Sequence, residues 1–276
     1  MSLRHYDLVL GIGTACSCTQ CLRAAGLQHL SFPYDWMSPS PNRPDDCRMD
    51  LRRRIDDFVD GFPEFLRREN LEYIGRSADG KNEIYLNRKT RIIHNHDFRS
   101  GIPFDMAYQE ASETYRRRIN RILRLIGKSK RVLIVRIDRP DQSAPTPVED
   151  CAYAIRRLAG RFPDIAFELL LLSYAKGVEP SAGIRGPDEC GIMTMTFDYR
   201  DYAPGRAAFE VVTPIVAAVL KAHFAVRDYR TFSERRKMKQ RRIRCKIEAG
   251  NASSYLHYRW LRCLQLLKRH WDRISP

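Results

Sequence analysis

Cys16 is the residue whose type and position are best suited to chemistry. Residues 6–12 (Tyr-Asp-Leu-Val-Leu-Gly-Ile) predict a short buried strand punctuated by Gly11 and Gly13, and residues 17–25 predict a short helix. A thiol at such a helix N-terminus lies beside unpaired N–H groups and the positive end of the helix dipole. Both favour a thiolate, and the same N–H groups can hold an oxyanion. We therefore predict a reactive thiol at a strand-to-helix turn.

Spacing alone leaves two other interpretations of Cys16 open. Cysteine is among the most buried residue types, so Cys16 could be a small core residue. The run Cys16-x-Cys18-x-x-Cys21 could bind a metal, but its nearest fourth ligand is Cys47 and it lacks the paired C-x-x-C spacing of structural zinc sites. Cys18 and Cys21 are more simply inward-facing helix residues, so no metal is expected. Arg23 stands at the wrong distance for a phosphatase-type C-x5-R loop.

A thiol nucleophile needs a base, and the best histidine signal is the segment His94-Asn95-His96-Asp97. These residues close a predicted strand and lead into a loop, where catalytic groups are commonly displayed. A single histidine is usually a structural, hydrogen-bonded residue. Two histidines beside an amide and a carboxylate bring the catalytic and structural interpretations to about equal weight.

The elements that must position these residues predict an α/β fold with a small, mostly parallel sheet flanked by helices. We expect a catalytic domain over residues 1–226 and a basic helical extension over residues 227–276, docked on it. The predicted strands cover residues 6–12, 131–137, 165–172 and 191–197, with short strands in 70–94, and the predicted helices cover 17–25, 46–58, 104–126, 148–161 and 209–224.

The net charge of +15 is concentrated near the C-terminus. Residues 227–273 hold fifteen Lys or Arg and four Asp or Glu, which gives 15 − 4 = +11. Such a surface attracts nucleic acid, anionic lipid, acidic polysaccharide or phosphorylated cofactors. No apolar run reaches the roughly 18 residues of a membrane span, and the N-terminal apolar segment is shorter than a secretory one. We expect a cytoplasmic protein whose eight cysteines are mostly reduced.

Several motifs in order resemble one bacterial family, uncharacterised and often met in surface-polysaccharide contexts, that carries the label "putative papain-like cysteine peptidase". The resemblance covers residues 6 to about 175, and its most specific part lies between Cys16 and Trp36. Its motifs are Leu10-Gly-Ile-Gly-Thr-Ala-Cys16, Leu22-Arg-Ala-Ala-Gly-Leu27, Ser31-Phe-Pro-Tyr-Asp-Trp36, His96-Asp-Phe98, Arg117-Arg-Ile-Asn-Arg121 and Val132-Leu-Ile-Val-Arg136.

The resemblance implies Cys16 as the nucleophile and His96 as its base. The acid that orients the imidazole is open among three residues, as in a catalytic triad. Asp97 is adjacent in sequence, Asp35 lies in the Phe-Pro-Tyr-Asp-Trp loop, and Asp138 follows a strand. Papain-like folds are α+β with an antiparallel barrel, whereas the strands here predict a parallel sheet, so the resemblance concerns the site rather than the fold.

Three functions follow from these residues. The first is a cysteine hydrolase that acts on a peptide, amide or ester, without a cofactor. The second is a coenzyme A-dependent acyltransferase for a surface glycan, in which Arg118, Arg121 and Arg136 would bind phosphates and Trp36 would line the substrate site. The third is a non-enzymatic module that binds nucleic acid or an anionic surface through residues 235–246. That segment lacks a zinc finger, an RNP motif and interleaved aromatics, so a small-molecule, peptide or glycan partner is favoured over nucleic acid.

Overall fold

A computed structural model describes residues 3–13, 16–39, 49–138, 145–174, 183–197 and 208–230, with a few further positions up to 240. The helices are α1 (Cys16–Ala24), α2 (Asp50–Val59), α3 (Phe104–Ile126), α4 (Val148–Arg161) and α5 (Ala208–His223). The strands are β1 (Arg4–Tyr6), β2 (Leu8–Gly11), β3 (Ser38–Pro39), β4 (Leu71–Arg76), β5 (Asn82–Asn87), β6 (Ile92–Arg99), β7 (Arg131–Ile137), β8 (Ala166–Tyr174), β9 (Ile192–Phe197) and β10 (Phe224–Val226).

The central sheet is parallel and has the order β2-β7-β8-β9. Its central strand β7 is a continuous branched run because both faces of the sheet are covered, and six of the seven residues of β7 are buried. The chain that enters β2 first forms β1, which pairs in parallel with β10. The parallel register brings the end of β2 beside β7, where the Ile12 amide N–H donates to the carbonyl of Val135 at 2.9 Å.

Helices cover the two faces of this sheet in pairs. On one face, α1 packs against α5. Their buried side chains share a core with Leu133, Val135 and Ile137 of β7. Since successive residues of a strand point to opposite faces, Val132, Ile134 and Arg136 face the other way. On that side α2 packs against α4, which also contacts β8. The result is a three-layer, doubly wound arrangement.

A second sheet is antiparallel, with the order β3-β6-β5-β4. It lies in the chain between α1 and β7, and α3 packs against β6. The sequence predicted this region only as short strands within residues 70–94. Its aromatic core forms where Tyr85 of β5 meets Phe98 and Phe104, with ring centroids 4.5 and 5.0 Å apart.

The predicted fold class is confirmed, because parallel strands alternate with covering helices. The predicted limits of α3, β7 and α4 agree with the structure to the residue.

The chain divides into two units, Met1–Arg227 and Asp228–Pro276. In the second unit, the carboxylate of Asp228 accepts hydrogen bonds from the backbone and guanidinium of Arg230. Nearly all of the basic segment 235–246 and the rest of the predicted helical extension lie outside the described residues. Among the described helices, none is long and apolar enough to cross a membrane.

Candidate active site

The turn between β2 and α1 is held by a close approach of the two elements. A Cβ atom added to Gly13 would lie 2.2 Å from the Cβ of Cys18, and one added to Gly11 would lie 3.1 Å from the Cys18 Sγ. Real Cβ atoms essentially never approach within 3.0 Å, so Gly13 is required by packing. The two glycines that punctuate the predicted strand therefore bring the first turn of α1 against the sheet.

The three thiols of α1 have different environments. Cys16 is the first residue of the helix and is half-buried, whereas Cys18 and Cys21 are buried in the core. Burial raises the pKa of Cys18 and raises that of Cys21 to about 11. The Cys18 Sγ lies 3.3 Å from the carbonyl oxygen of Val135, and the Cys21 Sγ lies 3.7 Å from Thr213 Oγ1. Cys18 and Cys21 are thus core residues, as the helix pattern indicated. Cys47 lies outside the described residues.

The open face of α1 carries Cys16, Gln20 and Arg23. Residues four and seven positions apart share one face of a helix. Burial agrees, since these three side chains are half-buried or exposed while the intervening positions 17–19, 21 and 22 are buried. Because each residue rises 1.5 Å along the axis, Arg23 lies about 10 Å from Cys16 on the same face.

Asp35 organises the loop between α1 and β3. Its buried carboxylate accepts hydrogen bonds from Gln28 Nε2 at 2.6 Å, from the Phe32 backbone N–H at 3.1 Å and from Arg23 Nη2 at 3.1 Å. Burial raises the pKa of Asp35, although these donors oppose the shift. Both carboxylate oxygens are engaged in the loop, which is the role of a structural organiser. As the acid of a triad, Asp35 stays a prediction.

Trp36 links α1 to His96. The guanidinium of Arg23 lies 5.4 Å from the centre of the Trp36 ring, and the imidazole of His96 packs edge-on against the same ring at 6.3 Å. His96 is exposed, and Trp36 is half-buried. The loop that carries Trp36 thus brings His96 to the side of the helix that starts at Cys16.

A bulge in β6 displays His96. The partner of His94 in β5 is Tyr85, and that of Phe98 is Glu83, so four steps along β6 match two along β5. Such extra residues leave the ladder and re-aim side chains. His94 stays inside, fully buried, with its Nδ1 3.0 Å from Asp97 Oδ2.

Asp97 pairs with His94 in the structure. Its Oδ1 accepts the hydroxyl of Tyr115 at 2.8 Å. Burial alone would raise the pKa of Asp97, but the hydrogen bonds from His94 and Tyr115 and the charge of Arg118 hold it below its usual value. Sequence reasoning missed the pairing of His94 and Tyr115 with Asp97. The i, i+3 spacing in a strand gave no signal, because only a bulge brings those two side chains together.

The three arginines considered as phosphate ligands in the acyltransferase alternative lie in different settings. Arg118 stacks over the Tyr115 ring at 5.0 Å, and Arg121 Nη1 donates to the carbonyl of Ser31 at 2.8 Å. Arg136 is buried, and its Nη1 donates to Asp50 Oδ2 at 2.5 Å and to the carbonyl of Ile12 at 3.1 Å. This burial argues against Arg136 as a ligand for coenzyme A phosphates.

Asp138, the third acid considered for His96, belongs to the same buried network as Arg136. It accepts hydrogen bonds from Thr146, through the backbone N–H at 2.8 Å and through the hydroxyl at 2.6 Å. The carboxylate lies 3.6 Å from Arg136 Nε. Asp138 therefore closes the end of β7 onto the segment that leads into α4.

Comparison with known proteins identifies the family. Residues 7–177, more than half of the 276-residue chain, match the model of the family described as "Putative papain-like cysteine peptidase (DUF1796)". The chain belongs to this family. A search of curated proteins and a search of solved structures both returned no match. The papain-like peptidase family model spans the turn at Cys16, the loop with Asp35 and Trp36, the β6 bulge and most of the parallel sheet, so all the candidate site residues fall within it.

Proposed function

We propose that the chain is a cysteine-dependent hydrolase of a peptide, amide or ester, with Cys16 as its nucleophile and His96 as its base. The observation that carries this proposal is the position of Cys16. Among the three thiols of α1, it is the accessible one, and it begins the helix directly beyond a parallel strand. In open α/β sheets, ligands bind outside the carboxyl ends of the strands. The family name supports the same class of chemistry.

The reaction would proceed in two steps. The Cys16 thiolate attacks the carbonyl carbon, and N–H groups of the first turn of α1 stabilise the oxyanion. The tetrahedral intermediate then expels the amine or alcohol, which takes a proton from the imidazolium of His96. Water, deprotonated by His96, next attacks the thioester, so that the acid product leaves and the Cys16 thiol is restored.

His96 is preferred over His94 as the base because a general base must reach its substrate. His94 is fully buried among aromatic rings and faces Asp97, while His96 is exposed beside Trp36. The acyltransferase alternative depends on arginines that bind phosphate. Because Arg136 is enclosed in the fold, we favour hydrolysis.

The experiment is alkylation by iodoacetamide across pH, followed by peptide mapping. Cys190 is exposed and serves as the reference thiol within the same chain. We expect Cys16 to react at least about tenfold faster than Cys190 near pH 6.5, because an activated cysteine is a thiolate there. His96→Gln should remove most of this advantage, while His5→Gln, a change at another exposed histidine, should not.

A Cys16 rate that follows that of Cys190 at every pH would overturn the proposal. An unchanged Cys16 rate in His96→Gln would remove His96 as the base and retain the nucleophile. Cys18, Cys21 and Cys151 serve as a check on folding, since burial raises their pKa values and they should react only after unfolding.

A further inference from the structure

The open face of α1 carries a cation at a fixed distance from the proposed nucleophile. Arg23 lies two helical turns beyond Cys16, about 10 Å away along the axis. An extended peptide spans about 3.3–3.6 Å per residue. A substrate whose reacting carbonyl sits at Cys16 would therefore reach Arg23 with a group about three residues away.

The guanidinium of Arg23 is held but retains unused donors. Nη2 donates to Ser31 Oγ at 2.9 Å and to Asp35 Oδ2 at 3.1 Å. Among the described residues, these are the hydrogen bonds that the guanidinium makes, so Nε–H and the Nη1 hydrogens have none. The side chain is 37% exposed, so these donors can meet a ligand.

Trp36 forms the wall of the same site. Its ring centre lies 5.4 Å from the guanidinium carbon of Arg23 and 6.3 Å from the centre of the His96 ring. A cation stacked on an aromatic ring keeps its edge donors directed outward. The pair therefore offers a fixed fork of N–H groups beside an apolar surface.

The charge of Arg23 is already partly balanced within the fold. Its Nη2 lies 3.1 Å from Asp35 Oδ2, and that carboxylate is buried. A guanidinium that shares its charge in this way, and whose remaining donors form a planar fork, matches a singly charged carboxylate better than a phosphate dianion.

We propose that Arg23 and Trp36 form a subsite for a substrate carboxylate, placed about three residues from the carbonyl that Cys16 attacks. This inference rests on the proposed function, because Cys16 defines the reacting position. The Arg23 fork would bind the carboxylate, while the Trp36 ring would contact the apolar atoms that precede it.

The test compares two reagents that differ only in charge, 6-maleimidohexanoic acid and its primary amide. The linker places the carboxylate about 10 Å from the reacting alkene, which matches the Cys16–Arg23 spacing. We expect the acid to alkylate Cys16 about five- to tenfold faster than the amide, since an Arg–carboxylate pair is charge-assisted. At Cys190 the two reagents should react at similar rates.

Three variants separate the explanations. Arg23→Gln should reduce the acid-to-amide ratio of the Cys16 alkylation rates to about one. Arg23→Lys, which keeps the charge and the partner for Asp35, should retain a part of it. Arg76→Gln, at an exposed arginine paired with Glu83, should leave the preference intact and controls for net charge.

The outcomes distinguish this inference from the proposed function. Fast alkylation of Cys16 by both reagents at equal rates overturns the subsite and leaves the nucleophile. Slow alkylation of Cys16 by both near pH 6.5 overturns the nucleophile. The acid-to-amide ratio near pH 8.5, where ordinary thiols react, then still decides on the subsite. If Arg23→Gln fails to fold, loss of the wild-type preference in about 0.5 M NaCl supports the charge assignment, and a preference unaffected by that salt contradicts it.

Discussion

His94 and His96 stand two residues apart in one strand yet have opposite environments. His94 is enclosed by Phe65, Phe98 and Tyr115, with ring centroids 5.8–6.2 Å away. Its buried Nε2 has no hydrogen-bond partner within the described part of the chain, while Nδ1 faces Asp97. A buried imidazole paired with a carboxylate stabilises the bulge locally. His94 thereby fixes the strand that presents His96.

The Asp97 carboxylate should be a structural anchor. Asp97→Asn should lower the free energy of unfolding by about 2 kcal/mol near pH 7, because two hydrogen bonds to an ionised group are weakened. The folded pKa of Asp97 is lowered, so its contribution is present above the unfolded pKa near 3.9 and is lost as the pH falls through the folded value. The difference from wild type should therefore shrink below about pH 4, as urea unfolding can measure.

The matched hydroxyl variants are Tyr115→Phe and Tyr85→Phe. Tyr115 donates to Asp97, whereas Tyr85 contributes its ring to the aromatic core. Tyr115→Phe should lower the free energy of unfolding by about 1.5 kcal/mol, and Tyr85→Phe should lower it by less than about 0.5 kcal/mol. Equal costs would show that Asp97 gains nothing from Tyr115.

Asp57 of α2 should destabilise the fold at neutral pH. Burial raises its pKa to about 6, against the partial compensation of the Glu64 backbone N–H and the Tyr34 hydroxyl. The folded pKa exceeds the unfolded one, so folding favours the protonated acid. The contribution of protonated Asp57 to the free energy of unfolding is fully present below about pH 4 and is lost as the pH rises through about 6.

Asp57→Asn should therefore raise the melting temperature above pH 6 and leave it nearly unchanged at pH 4. The neutral amide can still accept the Glu64 N–H, and the Tyr34 hydroxyl can keep donating to the Arg54 carbonyl at 2.7 Å. The expected gain at pH 7–8 is about 2 kcal/mol. Calorimetry of both proteins across pH measures it, and a constant difference at all pH values would contradict the assignment.

At the scale of elements, the site depends on how a strand passes into a helix. Ile12, the residue after β2, makes two hydrogen bonds through its backbone, and these fix the end of the strand. Its N–H donates to the carbonyl of Val135, and its carbonyl accepts a hydrogen bond from Arg136 Nη1. At the other end of α1, Gly26 adopts a positive φ of 76°, and the Leu27 N–H returns to the Leu22 carbonyl at 2.8 Å. A left-handed glycine and this return bond terminate a helix sharply. Both ends of α1 are thereby set.

Gly13→Ala should disrupt the strand-to-helix turn. The added Cβ would meet the Cys18 Cβ at 2.2 Å, so α1 must shift away from the sheet. We expect the free energy of unfolding to fall by about 3 kcal/mol or more and the alkylation of Cys16 to become slower. Gly160→Ala, in α4 with open space around it, is the matched control and should stabilise by about 0.5–1 kcal/mol. Similar stabilities of the two variants would show that the turn tolerates a shift.

At the scale of the whole described unit, a buried ion network joins the sheet to α2. Asp50, at the start of α2, accepts hydrogen bonds from Arg54 at 2.7 Å and from Arg136 of β7 at 2.5 Å. Burial alone would raise the pKa of Asp50, but the charges of Arg54 and Arg136 hold it below its usual value. Because Arg136 also binds the Ile12 carbonyl, one guanidinium connects β2, β7 and α2.

Arg136→Met should lower the free energy of unfolding by about 3–5 kcal/mol, because it leaves the buried carboxylate of Asp50 with only one of its two cations. Arg131→Met, at the exposed start of the same strand, should lower the free energy of unfolding by less than about 1 kcal/mol, because the Arg131–Glu168 ion pair lies at the surface. Urea unfolding compares them. A small cost for Arg136→Met would mean that Arg54 alone compensates Asp50.

The sequence by itself determined the local elements and the position of the thiol. A continuous branched run indicated β7, an apolar run indicated β8, helical spacing indicated α3, and two glycines before Cys16 indicated the turn. These signals are local, because strand and helix periodicity and close backbone approach are properties of neighbouring residues. They were enough for the fold class, whereas the family resemblance came from motifs spread over residues 6 to about 175.

Only the tertiary structure decided which partners the polar residues take. Asp97 was one of three candidate acids for His96, and the bulge in β6 pairs it with His94 and Tyr115. Arg136 was a candidate phosphate ligand only in the acyltransferase alternative, and the fold places it against Asp50 of α2. The guanidinium of Arg23 lies beside Trp36 because it binds Asp35 in the loop that carries both Asp35 and Trp36. Such pairings depend on register, bulges and burial among residues distant in the chain, which a linear pattern does not encode.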